Sequence, residues 1–134
     1  MEERRLDPAV SARVVWLAMV SSVAIYAVVG WLLGRLGTLP LVDRVPVFLT
    51  PAFALAALAL AGTAVVAQRV LVTVGPASPA GGSPFAALLV GWALCESIAV
   101  LGFAHHLLFA RPLVSGALMG AALALLILQR PSVP

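Results

Sequence analysis

Residues 85–109 read FAALLVGWALCESIAVLGFAHHLLF, an apolar run in which Glu96 is the only charged residue. At 1.5 Å rise per residue, a helix of this length extends for about 38 Å, which exceeds the roughly 30 Å of bilayer hydrocarbon. Long apolar runs with almost no charge are typical of transmembrane helices. The stretch therefore predicts a membrane span that carries one carboxyl group near its centre.

Further apolar runs lie on both sides of this stretch, separated by segments that disfavour a helix. Residues 75–84 contain three proline and three glycine residues, and Arg111-Pro112 interrupts the pattern again. The predicted spans cover about residues 14–33, 48–73, 85–109 and 113–128. The sequence therefore predicts an all-α membrane protein, with residues 1–134 forming a single four-transmembrane-helix bundle.

The composition also favours a lipid environment. The chain is 63% hydrophobic and 10% charged, whereas soluble domains carry about 25% charged residues. The bilayer is therefore the expected partner. The net charge of +3 comes from eight arginines that flank the apolar runs, so it indicates helix ends rather than nucleic-acid binding. Five of these arginines fall on the side of the two termini, which predicts cytoplasmic termini in the cell membrane.

Small residues at four-residue spacing predict how these helices associate. In lipid, helices pair mainly through small residues that allow close approach of two backbones. The fourth span carries Gly116, Gly120 and Ala124 in one stripe, and the third carries Gly102. We interpret these residues as packing seams within the bundle. Self-association of the chain through the same residues is the alternative.

Glu96 requires a special environment, because an acidic side chain at mid-span costs about 2.5–3.5 kcal/mol on insertion scales. Desolvation would favour the neutral acid, and hydrogen bonds inside the bundle would stabilise it further. No arginine lies at the same depth in another span. The candidate hydrogen-bond partners are Tyr26, which is the first choice, and Ser22 and Thr63.

Two roles for Glu96 follow. It is either a protonatable site in a proton or cation pathway, acting with other membrane subunits, or a packing residue of an accessory or assembly protein. His106 lies about 15 Å further along the helix and about 80° away from the face of Glu96. It is a candidate relay through water. Otherwise His105 and His106 form an interfacial pair of amphipathic rings.

The sequence gives no sign of an enzyme. It contains no Ser-His-Asp set, no glycine-rich phosphate loop and no cluster of metal ligands. We therefore expect neither catalysis nor a metal or other cofactor.

The stretch around Glu96 resembles the carboxylate helix of the rotary ATP synthase proteolipid, the c subunit. That helix follows the pattern Ala-Leu-x-Glu-small-x-Ala-Ile-x-Gly. The matching residues here are Ala93, Leu94, Glu96, Ser97, Ala99, Val100 and Gly102. The resemblance implies that Glu96 is an ion-binding carboxylate and that the chain belongs to a ring.

The whole-chain pattern is similar to a group of small, uncharacterised four-span bacterial membrane proteins. They share an Ala-Leu-x-Glu third span and an ending of the type Arg130-Pro131-Ser132. This resemblance implies the four-span architecture and no particular activity.

Overall fold

The computed structural model describes residues 8–40, 45–46, 48–73 and 84–131. These residues form four α-helices, and no strand occurs among them. The helices are α1 (Pro8–Arg35), α2 (Leu49–Thr73), α3 (Pro84–Phe109) and α4 (Pro112–Leu128). For the described residues, the prediction of an all-α fold with four helices is confirmed.

Three of the helices are long and apolar enough to cross a membrane. The qualifying segments are Val10–Arg35, Leu49–Val70 and Phe85–Phe109. Helix α4 is equally apolar but has 17 residues, which corresponds to about 25 Å. A crossing by α4 therefore stays a prediction.

Helix α3 is the centre of the bundle. It packs against each of the other helices, whereas no approach of Cα atoms within 8 Å joins α1 to α2 in the described residues. Helix α1 instead lies against α3 and α4. Trp16 fixes part of this contact, because its indole Nε1 donates a hydrogen bond of 2.8 Å to the carbonyl of Leu126. The arrangement leaves one side of α3 open between α1 and α2.

The buried core lies where α3 meets α2 and α4. Trp92 is fully buried there, and its Nε1 donates to the carbonyl of Gln129 at 3.0 Å. Gly102 allows the backbones of α3 and α4 to approach. A Cβ atom at this position would lie 3.0 Å from the carbonyl oxygen of Ser115 and 3.0 Å from Cβ of Leu118. Close packing of α3 on α4 therefore depends on the glycine.

The outer surface is strongly apolar. Leu17 and Ile25 of α1, Leu58 of α2, and Leu113 and Leu128 of α4 each expose more than half of their surface. Exposed large apolar side chains on several helices fit a surface that faces lipid. Many buried core residues, by contrast, are alanines, among them Ala57, Ala64, Ala99 and Ala122.

The stripe Gly116, Gly120 and Ala124 does not form a seam inside the described bundle. All three residues are exposed, and a Cβ atom at either glycine would meet nothing within 4 Å. The inner face of α4 is formed by other residues, among them Ser115, Ala122 and Leu126. The interpretation of this stripe as internal packing is thus corrected, and self-association stays a prediction.

The connection between α3 and α4 is a sharp break. Ala110 adopts the left-handed conformation with φ of 50°, and Arg111 is extended with φ of −100° and ψ of 94°. The extended conformation of Arg111 follows from Pro112, whose ring disfavours a helical residue before it. Helix α4 can therefore start immediately and fold back along α3.

Candidate functional site around Glu96

Glu96 lies at the middle of α3, as the thirteenth of its 26 residues. Its Oε1 atom lies 2.6 Å from the hydroxyl of Ser22 and 3.4 Å from the hydroxyl of Tyr26, both on α1. Strong O–H···O bonds measure about 2.5–3.0 Å. The expected partners on α1 are therefore brought to Glu96, but Ser22 rather than Tyr26 makes the short contact.

The Ser22 hydroxyl has two oxygen atoms within hydrogen-bond distance. Besides Glu96, it lies 2.8 Å from the backbone carbonyl of Met19. A hydroxyl has one proton to donate and can also accept. Both contacts are hydrogen bonds at the same time only if the acid is protonated, with Glu96 donating to Ser22 and Ser22 donating to Met19. If Glu96 is ionised, Ser22 donates to the carboxylate instead.

Glu96 is partly buried, so the hydrogen bonds expected inside the bundle cover only one side of its carboxyl group. Its α1 side is covered by Ser22 and Tyr26, whereas its other side forms part of a groove between α2 and α3. We call this cavity of about 800 Å³ the Glu96 groove. Its other lining residues are Ala56, Ala59, Leu60, Thr63, Ala93, Leu94, Ser97, Val100 and Leu101.

The two other hydroxyls of the Glu96 groove are occupied within their own helices. Thr63 donates to the carbonyl of Ala59 at 2.8 Å, and Ser97 donates to the carbonyl of Ala93 at 2.8 Å. The structure thus places Thr63 in the same groove as Glu96 but shows no bond between them. Hydrogen bonding to Glu96 comes from α1 alone among the described residues.

The same side of α1 also contacts His106. Ser22, Tyr26 and Gly30 follow one another at four-residue spacing and face α3. Tyr26 stacks on Phe103, with ring centroids 5.6 Å apart, and the carbonyl of Gly30 lies 3.1 Å from Nε2 of His106. We call this line of contacts the α1–α3 seam.

His106 does not reach Glu96. A carbonyl oxygen can only accept, so Nε2 of His106 donates to Gly30, and Nδ1 is buried without a partner among the described residues. Ten residues of helix separate the two side chains by about 15 Å, and Phe103 contacts α1 between them. The seam aligns the candidate relay with Glu96, but no hydrogen-bonded connection joins them among the described residues.

His105 is a buried residue that sequence reasoning placed at the interface. Its Nδ1 lies 3.0 Å from the hydroxyl of Ser115, and its Nε2 lies 3.4 Å from the hydroxyl of Thr50. Ser115 donates to the carbonyl of Arg111, so Nδ1–H of His105 donates to Ser115. His105 thus joins α2, α3 and α4. The sequence feature that indicates this burial is the presence of two hydroxyl residues, Thr50 and Ser115, near the starts of the second and fourth apolar runs.

The described residues contain no group of three or more His, Cys, Asp or Glu side chains placed to hold a metal ion. Cys95 is a free, buried cysteine. Comparison with family models, with curated proteins and with solved structures finds no match to this chain.

Proposed function

We propose that the chain is a four-span bundle of the cell membrane with cytoplasmic termini, and that it acts as a proton-handling subunit with Glu96 as the proton-binding group. The membrane assignment is supported by three long apolar helices and by the large apolar side chains on the outer surface. Helix α4 completes the bundle, because a span slightly shorter than the hydrocarbon thickness is accommodated at modest cost.

The single observation that carries the proton assignment is the position of Ser22. Its hydroxyl lies 2.6 Å from Glu96 and 2.8 Å from the Met19 carbonyl. Rotation of one O–H bond lets Ser22 accept from the neutral acid or donate to the carboxylate. Both charge states of Glu96 are therefore hydrogen-bonded without movement of the helices, which is what reversible proton binding at a mid-bilayer depth requires.

A proton fits this site better than a metal cation. The described oxygen atoms in contact with the Glu96 carboxyl are the hydroxyls of Ser22 and Tyr26. Hard cations such as Ca²⁺ take six to eight oxygen ligands, whereas a proton needs one acceptor. Proton exchange also requires access to the carboxyl group, and the Glu96 groove leaves it accessible from the side opposite to Ser22. We propose that a partner membrane subunit exchanges protons with Glu96 through this groove.

Infrared spectroscopy of the protein in liposomes tests the proposal directly. We expect the C=O stretch of a protonated carboxyl to shift to lower frequency when H₂O is replaced by D₂O, because a proton bound reversibly at Glu96 exchanges with the solvent. Glu96→Gln keeps a similar shape but cannot ionise, so the band should be missing in this variant while the fold is retained. A protonated-carboxyl band that does not shift in D₂O, or that persists in Glu96→Gln, would overturn the proposal.

A packing role is the alternative, and one observation favours it. Helix α1 makes no contact with α2 in the described residues, so the bonds from Ser22 and Tyr26 to Glu96 supply much of its polar attachment. The variants separate the two roles. A packing role predicts that Glu96→Gln is tolerated in the cell and Glu96→Leu is not, whereas a proton-handling role predicts that both lose function.

The resemblance of residues 93–102 to the proteolipid helix leaves a ring as the second alternative. A ring requires many copies, so the mass of the particle in mild detergent decides. A monomer or dimer excludes a ring, whereas a particle of many copies supports it.

A further inference from the structure

A second cavity lies at the opposite end of the α1–α3 seam from Ser22. It lies between the end of α1, the end of α3 and the start of α4, is open on one side, and has a volume of about 480 Å³. Small-molecule sites usually measure about 300–1,000 Å³. Glycines create much of the space, since Gly30, Gly34 and Gly116 all line it. We call it the Arg35 cavity.

The Arg35 cavity is polar at one end and apolar at the other. Arg35 and Pro112 line it at the ends of α1 and α4, whereas Ala27 and Met119 line it deeper in the bundle. Eight residues of helix separate Ala27 from Arg35, which corresponds to about 12 Å along the axis. A ligand that fills the cavity would therefore have a polar head and an apolar body.

The polar end favours an anion. The guanidinium of Arg35 lies over the ring of Trp31, 5.0 Å from the centroid, which holds the charge beside the cavity. Among the described residues, no carboxylate lines the cavity, and Glu96 is the only acidic residue. Helix α4 begins at Pro112 without a side-chain cap, so the positive end of its dipole adds to the charge of Arg35.

We propose that the Arg35 cavity binds the phosphate group of an anionic phospholipid, with an acyl chain along Ala27 and Met119. Arginine suits this role, because its planar guanidinium can donate two parallel hydrogen bonds to phosphate oxygens. With cytoplasmic termini, the site faces the outer leaflet. The inference rests on the membrane placement given above and is independent of the role of Glu96.

Fluorescence quenching in liposomes provides the test. The protein is placed in phosphatidylcholine vesicles that contain a small fraction of phosphatidylglycerol, with bromine atoms on the chains of one lipid or the other. Trp31→Phe identifies the part of the signal that comes from Trp31. We expect brominated phosphatidylglycerol to quench Trp31 more strongly than brominated phosphatidylcholine at equal fraction, because the charged lipid concentrates at the cavity.

Charge variants test the role of Arg35. Arg35→Gln should lower the preference for phosphatidylglycerol about fivefold, because one basic residue near the membrane surface contributes about 1 kcal/mol to the binding of an anionic lipid. Arg13→Gln, at the other end of the same helix, is the matched control and should leave the preference unchanged. An equal loss in both variants would mean general surface attraction and would overturn the site.

Glycine variants test the cavity itself. Gly116→Leu places a side chain in the Arg35 cavity, where a Cβ atom would meet nothing within 4 Å, and it should abolish the preference. Gly120→Leu is the matched control, because it lies one turn further on the same exposed side of α4 and does not line the cavity. A preference that survives Gly116→Leu would overturn the proposal.

Two further measurements identify the source of the phosphate and separate this inference from the proposed function. Inorganic phosphate should not compete with phosphatidylglycerol if the acyl chain contributes to binding. Full competition would overturn a lipid as the ligand. Glu96→Gln should keep the lipid preference, so a failure of the proton assignment leaves this result unaffected.

Discussion

Polar residues on the two sides of α3 differ in burial and in hydrogen bonding, and the adjacent histidines His105 and His106 show this most clearly. His105 faces α2 and α4, is fully buried, and has a partner for each ring nitrogen. His106 faces α1, is partly buried, and leaves Nδ1 without a partner. Glu96 lies on the same seam and is also partly exposed. We call the side of α3 that carries His105 the closed side. The side that carries Glu96 and His106, with the Glu96 groove beside it, is the open side.

We infer that the two sides of α3 have different roles, one in stability and the other in function. The closed side stabilises the bundle, because His105 is hydrogen-bonded at both ring nitrogens and Gly102 brings α4 into close contact. On the open side, Nδ1 of His106 has no partner among the described residues, and the Glu96 carboxyl borders the Glu96 groove. Substitutions should therefore affect stability on the closed side and function on the open side.

The largest loss of stability is expected from Gly102→Leu on the closed side. A Cβ atom there would lie 3.0 Å from a backbone oxygen, so α3 and α4 must separate. Overpacking of this kind costs about 1–3 kcal/mol. Thermal unfolding in detergent measures the effect, and Gly120→Leu, which enters open space, should unfold like the wild-type protein. Equal stability of both variants would contradict the close packing of α3 on α4.

The two histidines give a sharper test at intermediate size. His105→Leu removes the donor to Ser115 and leaves the Thr50 hydroxyl without its contact, which should cost about 1–2 kcal/mol of stability. His106→Leu removes one bond to the Gly30 carbonyl and also removes a buried nitrogen without a partner, so we expect a change within about 0.5 kcal/mol. Unfolding of both variants under identical conditions checks the difference. A larger loss for His106→Leu would reverse our assignment of the closed and open sides.

The helices could be predicted from the sequence because each apolar run is long and each break contains proline, glycine or arginine. The ends were less accurate: α1 begins at Pro8, six residues before the predicted span, because a helix can continue beyond the hydrocarbon. The contact of Glu96 with Ser22 and Tyr26 could also be predicted, because few polar residues lie near the middle of the apolar runs.

Other features could not be predicted, because a sequence does not state which side of each helix faces its neighbours. The stripe of Gly116 and Gly120 was expected inside the bundle and faces outward. Thr63 is a candidate partner of Glu96 by its depth, but its hydroxyl bonds to its own helix. His105 was expected at the interface and is buried. Each outcome depends on the rotation of one helix about its axis, which spacing alone does not determine.

The smallest expected effect concerns the bond between Ser22 and Glu96. Hydrogen bonds between membrane helices contribute about 0.6 kcal/mol on average and up to about 1.7 kcal/mol. Ser22→Ala should lower stability by an amount in this range. Thr63→Ala is the matched control, because its hydroxyl bonds within α2, and it should change stability by less than about 0.3 kcal/mol.

A double-mutant cycle isolates this bond from other effects of the substitutions. In a Glu96→Leu background, Ser22→Ala should cost less than it does in the wild-type protein, because the partner has already been removed. The difference between the two costs is the coupling energy, and we expect it to lie near the average for membrane helices. Unfolding of the four proteins in the same detergent measures it. A coupling energy of zero would mean that the hydrogen bond between the Ser22 hydroxyl and Glu96 does not stabilise the protein. The open side would then contribute neither a proton site nor an attachment for α1.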